Sequence, residues 1–243
     1  AAIVFGAEPD LDSVEGQKVV RGLIDAEFVV QASAFVGNAK QYADVLLPIA
    51  PSTETSGTFI NIAGTAQTFK AAVRPLGETR PGWKVLRVLG NLLGLDGFEF
   101  NSSEEVLKAF MPANLASLLN NVVPEQTVAG TVLNGKLELA AYTPIYDTDS
   151  LVRRAESLRK TKAAKPALIQ IGVQTASALA VKTGDKVQLT DSEGGSLQAA
   201  VFVNKTIAEN TVLVPMGRIE TQSLRTVFGG AVLEAVVASE VQA

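Results

Sequence analysis

ADVLLPIAPSTETSGTFINIAGTAQTF, residues Ala43–Phe69, is the stretch around which the chain is organised. Val45-Leu46-Leu47 is a continuous apolar run stopped by Pro48. A polar, turn-rich segment, Pro51–Gly57, leads into the short β-prone piece Thr58-Phe59-Ile60-Asn61. An apolar run of this length bounded by turn residues reads as a buried strand. Its end opens into a structured loop, where open α/β sheets place a ligand crevice. Upstream, Ile3-Val4-Phe5 is a strand ending in the turn Gly6–Asp10. Asp12 or Ser13 is placed to cap a helix within Val14–Ala26, whose Val19, Val20, Leu23 and Ile24 recur at helical spacing. Glu27–Gln31 is then a second strand. Strand, helix, strand, short polar segment, strand is the pattern of a Rossmann-like parallel sheet covered by helices.

Downstream, Val85, Leu86, Val88, Leu89, Leu92 and Leu93 mark a helix opened by Pro81 and ended by Gly94. Ser102 and Glu105 have capping-box spacing for a second helix, interrupted at Pro112. Pro124–Tyr142 has weak strand character with an expected Asn134-Gly135 turn. Residues 153–165 then set Arg153, Arg154, Arg159, Lys160, Lys162 and Lys165 against the single acid Glu156. This reads as a solvated helix leading into a linker, or as a contact with an acidic partner surface. The domain boundary is expected there: residues 1–150 as the α/β portion, 151–166 as a basic linker, 167–243 as a barrel.

From Ala167 onward the texture is different. Leu168–Ile171, Lys186–Thr190, Ser196–Val203, Asn210–Pro215 and Ala231–Ala238 are strand-like, with a short helix at Thr175–Val181 and turns at Thr183-Gly184-Asp185 and Asp191–Gly195. Short strands at roughly ten-residue spacing indicate a small all-β barrel.

The 243 residues are 47% hydrophobic and 19% charged, the composition of a globular protein. A net charge of −4 and a pI near 5.1 argue against nucleic acid as a partner. The chain has no Cys and no His. Disulfides, thiolate-bound iron–sulfur clusters, His-based zinc sites and Ser-His-Asp or Cys-His catalysis are therefore impossible within it. No apolar run approaches the ~20 residues of a direct membrane span. With no initiator Met and a strand-like run from Ile3, the chain reads as a piece of a longer protein.

Neither a Gly-rich dinucleotide fingerprint nor a P-loop is present. Glu54 sits in the loop after the strand, where it is a conceivable acid or base but more ordinarily satisfies loop amides. Asp44 and Asp185 read as structural. Gly6-Ala7-Glu8-Pro9, the Ala43–Pro48 strand and Glu54-Thr55-Ser56-Gly57-Thr58-Phe59-Ile60-Asn61 resemble the molybdopterin-type oxidoreductases, whose loop signature is Glu-x-x-Gly-Thr-(aromatic)-x-Asn. Ala178–Val187 resembles that family's C-terminal dinucleotide-binding domain, a double-psi β-barrel. Within the family, Arg74–Arg87 and Pro144–Ala155 are similar to the large iron–sulfur subunit of bacterial NADH–quinone oxidoreductase, respiratory complex I.

The resemblance implies vestigial cofactor-binding positions at Glu54, Gly57, Thr58, Asn61, Gly64, Gln67, Gly184 and Arg218, with no catalytic or metal-ligating residue. The family usually follows its Asn with Glu-Gly-Arg-x-Gln; here the run is Ala63-Gly64-Thr65-Ala66-Gln67, without the guanidinium that would grip a phosphate. From Ala167 onward five basic residues face seven acidic ones. On this reading the chain is a scaffold in the cytoplasmic peripheral arm of the complex, peripheral to the inner membrane. Other peripheral-arm subunits are its partners, and no cofactor lies in this chain. The intact subunit would carry iron–sulfur clusters upstream, passing electrons from NADH to quinone. The alternative is the cofactor-binding portion of a catalytic molybdopterin-dependent oxidoreductase, with a pterin dinucleotide held by the Glu54–Gln67 loop and the barrel loops near Gly184 and Arg218.

Overall fold

A computed structural model of the chain describes residues 1–120, 122, 133 and 137–236. In chain order the elements are β1 (Ala2–Phe5), α1 (Pro9–Asp12), α2 (Gly16–Ile24), β2 (Val29–Ser33), β3 (Val45–Pro48), β4 (Gly57–Ile60), β5 (Ala66–Phe69), α3 (Gly82–Leu92), α4 (Ser103–Phe110), β6 (Leu137–Tyr142), α5 (Glu156–Arg159), β7 (Ile169–Ile171), α6 (Val173–Ala178), β8 (Lys186–Asp191), β9 (Ser196–Val203), β10 (Thr211–Pro215) and β11 (Gly229–Ala235). Two compact units result: Ala1–Gly6 with Phe28–Val128, and Ala7–Glu27 with Ala129–Ala243. The basic segment expected as a linker thus lies inside the second unit, as do α1, α2 and β6.

In the first unit β1, β2 and β3 form a parallel sheet in that order. β2 is its centre, and Val29, Gln31 and Ala32 are buried. Asp44 fixes the register: its Oδ2 accepts from Val29 N at 2.7 Å while its own N donates to Val29 O at 2.9 Å. The expectation that Val45-Leu46-Leu47 is a buried strand is half met. It is the third strand, but Val45 and Leu46 are 36% and 40% exposed, because β3 is an edge of this three-stranded sheet and its apolar side chains find few neighbours in the described chain.

β4 and β5 form an antiparallel hairpin. Helix α3 ends as its sequence indicates: Leu95 N donates to Gly90 O and Gly94 N to Asn91 O, the paired bonds of a Schellman cap. Helix α4 starts at its expected cap, with Ser102 Oγ accepting from Glu105 N at 3.1 Å. Glu105 Oε2 reaches back to Asn101 N at 2.7 Å, one residue earlier than in a standard box. No side chain caps α2; Asp12 instead ends α1, and its Oδ2 accepts from Glu8 N at 2.7 Å.

The second unit is a closed barrel of order β10-β6-β11-β8-β9-β7. β10–β6 and β7–β9 are parallel pairs and the other four are antiparallel, a mixture that a simple meander lacks. The fold class is therefore the expected one, a parallel-sheet segment followed by a small barrel. Period-two alternation sends Val187 and Leu189 of β8 inward, where they meet Leu139, Ile169, Ile171, Val201, Val212 and Val214. β6 precedes the anticipated barrel boundary, yet it fills the gap between β10 and β11. The last strand starts at Gly229 rather than Ala231. The Asn134-Gly135 turn and residues 237 and 238 of that strand lie outside the described residues. No helix among the described residues is long and apolar enough to cross a membrane.

Two local features have measurable consequences. Asp191 is buried, its Oδ1 accepting from Glu193 N and Gly195 N and its Oδ2 from Arg225 N and Thr226 N. Replacing it with Ala strands several of those donors and is expected to destabilise the barrel by about 3 kcal/mol in denaturant titrations. Ala180 occupies the left-handed position after α6 at φ 52, with Val181 N bonded to Ala176 O. Being exposed, it gives up no packing on becoming Gly, so Ala180→Gly is expected to stabilise by about 0.5–1 kcal/mol in the same assay.

Candidate functional site

The residues marked by the loop signature are engaged in building the hairpin. Glu54 Oε2 accepts from Leu76 N at 3.0 Å, the amide-satisfying role. Asn61 Oδ1 accepts from Ala63 N and Thr65 N at 3.0 and 2.9 Å and so organises the β4–β5 turn. Gly64 sits in that turn at φ +74, and a Cβ there would run into the Leu119 side chain. Thr58 and Thr68 face each other through their hydroxyls at 3.3 Å, and Phe59, paired with Gln67 across the ladder, stacks on Phe69 at 5.1 Å. Gly57 begins β4 opposite Phe69. These six positions share one hairpin and its approach. Gly184 lies in the other unit, in the turn before β8, donating to Val201 O.

Arg218 is differently placed. It is buried, and together with Arg153, Arg154 and Arg159 it lines a cavity of about 470 Å³ whose wall also includes Leu11, Asp147 and Glu220. Asp147 joins two of the guanidiniums: Oδ1 accepts from Arg159 Nη1 at 2.7 Å and Oδ2 from Arg218 Nη1 at 2.8 Å. Arg218 Nη1 also donates to Ala164 O at 3.2 Å, and its Nη2 to Glu220 Oε1 at 2.8 Å. Its Nε is buried and finds no acceptor. Behind the wall, Glu8 receives Arg154 Nη2 on Oε1 at 2.5 Å and Arg153 Nη2 and Arg154 Nη1 on Oε2 at 3.0 Å each. Arg153 Nη2 also donates to Asp12 Oδ1 at 2.6 Å.

The basic segment thus divides: Lys160, Lys162 and Lys165 stay exposed, while its arginines are paired. Its three arginines meet acidic groups that belong to the same chain, at Glu8, Asp12 and Asp147. Burial alone would push the Glu8 carboxyl up, but the hydrogen bonds and charges of Arg154 and Arg153 outweigh it and hold Glu8 below the ordinary carboxylate range. Glu220 behaves alike: burial raises it, and the Arg218 hydrogen bond prevails and lowers it. The tally of basic residues from Ala167 onward misses this site because three of its four guanidiniums come from residues 153–159. The legible signal was the Arg153-Arg154 pair itself; its counter-charge at Glu8 lies 145 residues away.

Residues 1–92 match the family described as Molybdopterin oxidoreductase, and residues 137–239 match the Molydopterin dinucleotide binding domain. Curated proteins from Staphylococcus aureus strains bovine RF122 / ET3-1 and USA300, each named “Putative formate dehydrogenase”, are 40% identical over 70 residues. That stretch is 29% of this chain and 7% of theirs, so the match spans less than a tenth of the relatives' length. Among solved structures, acetylene hydratase from Pelobacter acetylenicus shares the fold, with a TM-score of 0.67 over 97% of this chain and 44% of its own, at 16% identity.

The depressed Glu8 carboxyl sets a pH dependence. A group whose folded value lies below its ordinary 4.5 contributes stability above that pH and loses it as pH falls through the folded value. Glu8→Gln is expected to cost about 2–4 kcal/mol at pH 7, since it leaves two guanidiniums short of their acceptor. The gap to the unsubstituted protein should close on acidification below about pH 4, as followed by thermal unfolding across pH.

Proposed function

We propose that the chain, whose residues 1–92 match the molybdopterin oxidoreductase family and residues 137–239 the dinucleotide-binding domain, is the cofactor-holding portion of a molybdopterin-dependent oxidoreductase. The observation that carries this reading is the arginine cavity. Four guanidiniums and two carboxylates line it, a surplus of two positive charges at the wall. The diphosphate of a dinucleotide, esterified at both ends, carries about two negative charges at neutral pH and is the kind of group that guanidinium forks bind. The buried Arg218 Nε supplies a donor still in need of an acceptor. In size and donor set the cavity fits the diphosphate of a pterin dinucleotide.

Such a group, when bound, supplies the redox chemistry. The part of this chain is to hold it. Arg153, Arg154, Arg159 and Arg218 would hold its phosphate oxygens, Glu8 and Asp147 fix the orientation of those guanidiniums, and Leu11 gives the cavity an apolar wall. Among the described residues, no group of three or more Asp and Glu is placed to hold a metal ion. The likeness to the curated relatives supports a formate dehydrogenase-like enzyme as the whole protein.

A scaffold role, as in the large iron–sulfur subunit of NADH–quinone oxidoreductase, has an observation in its favour too. Glu8 and Asp12 stand behind the wall and bring four guanidiniums and four carboxylates into balance, and Ala63 and Thr65 leave the hairpin turn uncharged. Metal and pterin analysis of the intact protein separates the two. The cofactor reading expects stoichiometric molybdenum or tungsten and a pterin oxidation product. Arg218→Lys, which keeps the charge but loses the fork, should lower retained pterin severalfold. An intact protein with neither metal nor pterin overturns that reading in favour of the scaffold.

A further inference from the structure

One carboxylate of the cavity is held unlike the others. Asp147 (2% exposed) is clamped between two guanidiniums, and Glu8 (5%) between two more. Glu220, its side chain 47% exposed, makes a single ion pair, to Arg218 Nη2. It belongs to the 3₁₀ turn Ile219–Thr221, two residues beyond its partner. Arg218 itself is only 5% exposed, and its Nη1 is committed to Asp147 and the Ala164 carbonyl. What remains is the side-on edge of the guanidinium, Nε and Nη2, where an anion with two oxygens can bind both donors. Glu220 occupies one of them and leaves the buried Nε idle.

We infer that Glu220 is an internal stand-in for an anionic ligand: it covers the Nε/Nη2 edge of Arg218 through one bond, and a phosphate group entering the cavity displaces it. This rests on the reading of the cavity as a phosphate site. The physical balance favours exchange. An exposed carboxylate paired with one guanidinium loses little on swinging out into water. A phosphate that takes both donors also satisfies a buried N–H for which Glu220 does nothing. The Asp147 carboxylate cannot take part in the exchange, because leaving its place would strand Arg159 as well as Arg218. Glu220 thereby sets a threshold. It neutralises Arg218 while the cavity lacks ligand, and only a doubly bonding, strongly charged group outcompetes it.

The test uses the intact protein made in cells that synthesise no pterin cofactor, with inorganic pyrophosphate as the calorimetric probe. Glu220→Gln removes the competing charge and is expected to bind pyrophosphate about tenfold more tightly than the unsubstituted protein. Glu209→Gln makes the same net-charge change at an exposed carboxylate that does not line the cavity, and should leave the affinity unchanged. In the double variant Glu220→Gln/Arg218→Lys the gain should vanish, because lysine has no side-on edge. Glu220→Ser replaces Glu220→Gln should the latter fail to fold. Equal binding by Glu220→Gln and the unsubstituted protein overturns the stand-in role and leaves the phosphate site intact. No binding by either at millimolar pyrophosphate overturns the phosphate site, and this inference with it.

Discussion

The second unit depends on a set of carboxylates buried among guanidiniums. Glu8 alone receives four hydrogen bonds, from Arg153 Nε and Nη2 and from both terminal nitrogens of Arg154. Buried ion pairs recover their desolvation only when their lone pairs are used, and both oxygens of Glu8 are. The consequence is architectural. Residues 7–27 reach the barrel unit through Glu8 and Asp12, through Asp10 to Gln222 at 2.7 Å, and through Lys18 to Glu193 at 3.1 Å. A helical pair that leaves the chain between two strands of the sheet is in this way committed to a different unit. The arginines of residues 153–159 bind it there, as Asp147 binds Arg218 and Arg159 at the barrel side of the cavity.

The same network makes the cavity ambivalent in a useful way. Arginines positioned by carboxylates are preorganised, so a ligand does not have to order them, yet each carboxylate also competes with the ligand for them. Which effect wins depends on where the carboxylates stand. Glu8 and Asp12 approach from behind, and Asp147 is fixed by two partners; these support the guanidiniums. Glu220 approaches from the open side and covers a bidentate edge with one bond. A cavity that is neutral as a whole can therefore still present a positive wall.

The hairpin gives the opposite lesson. A loop signature that elsewhere marks a cofactor crevice is here built into backbone support, with Asn61 organising a turn, Glu54 capping an amide and Gly64 permitting a left-handed bend next to Leu119. Those roles are local, and they follow from Asx and glycine chemistry that a sequence shows openly. They account for these residues without a ligand.

Read alone, the sequence determined most of the elements, because their causes are short-range. Period-two alternation in Lys186–Asp191, the Ser102 cap with Glu105, the Gly94 stop of α3 and the turn at Asp185, whose Oδ2 accepts from Lys182 N, all rest on neighbours a few residues apart. It also ruled out thiolate and imidazole chemistry within the chain. It did not show that Val45 and Leu46 stay exposed, since composition records how apolar a strand is and not which chain covers it. Nor did it show the cavity. Charge pairing between Glu8 and Arg153, or between Asp147 and Arg218 71 residues further on, obeys distance in space, and no spacing rule in sequence encodes that. Only the tertiary structure turned a basic segment that looked like a solvated linker into the guanidinium wall of a cavity.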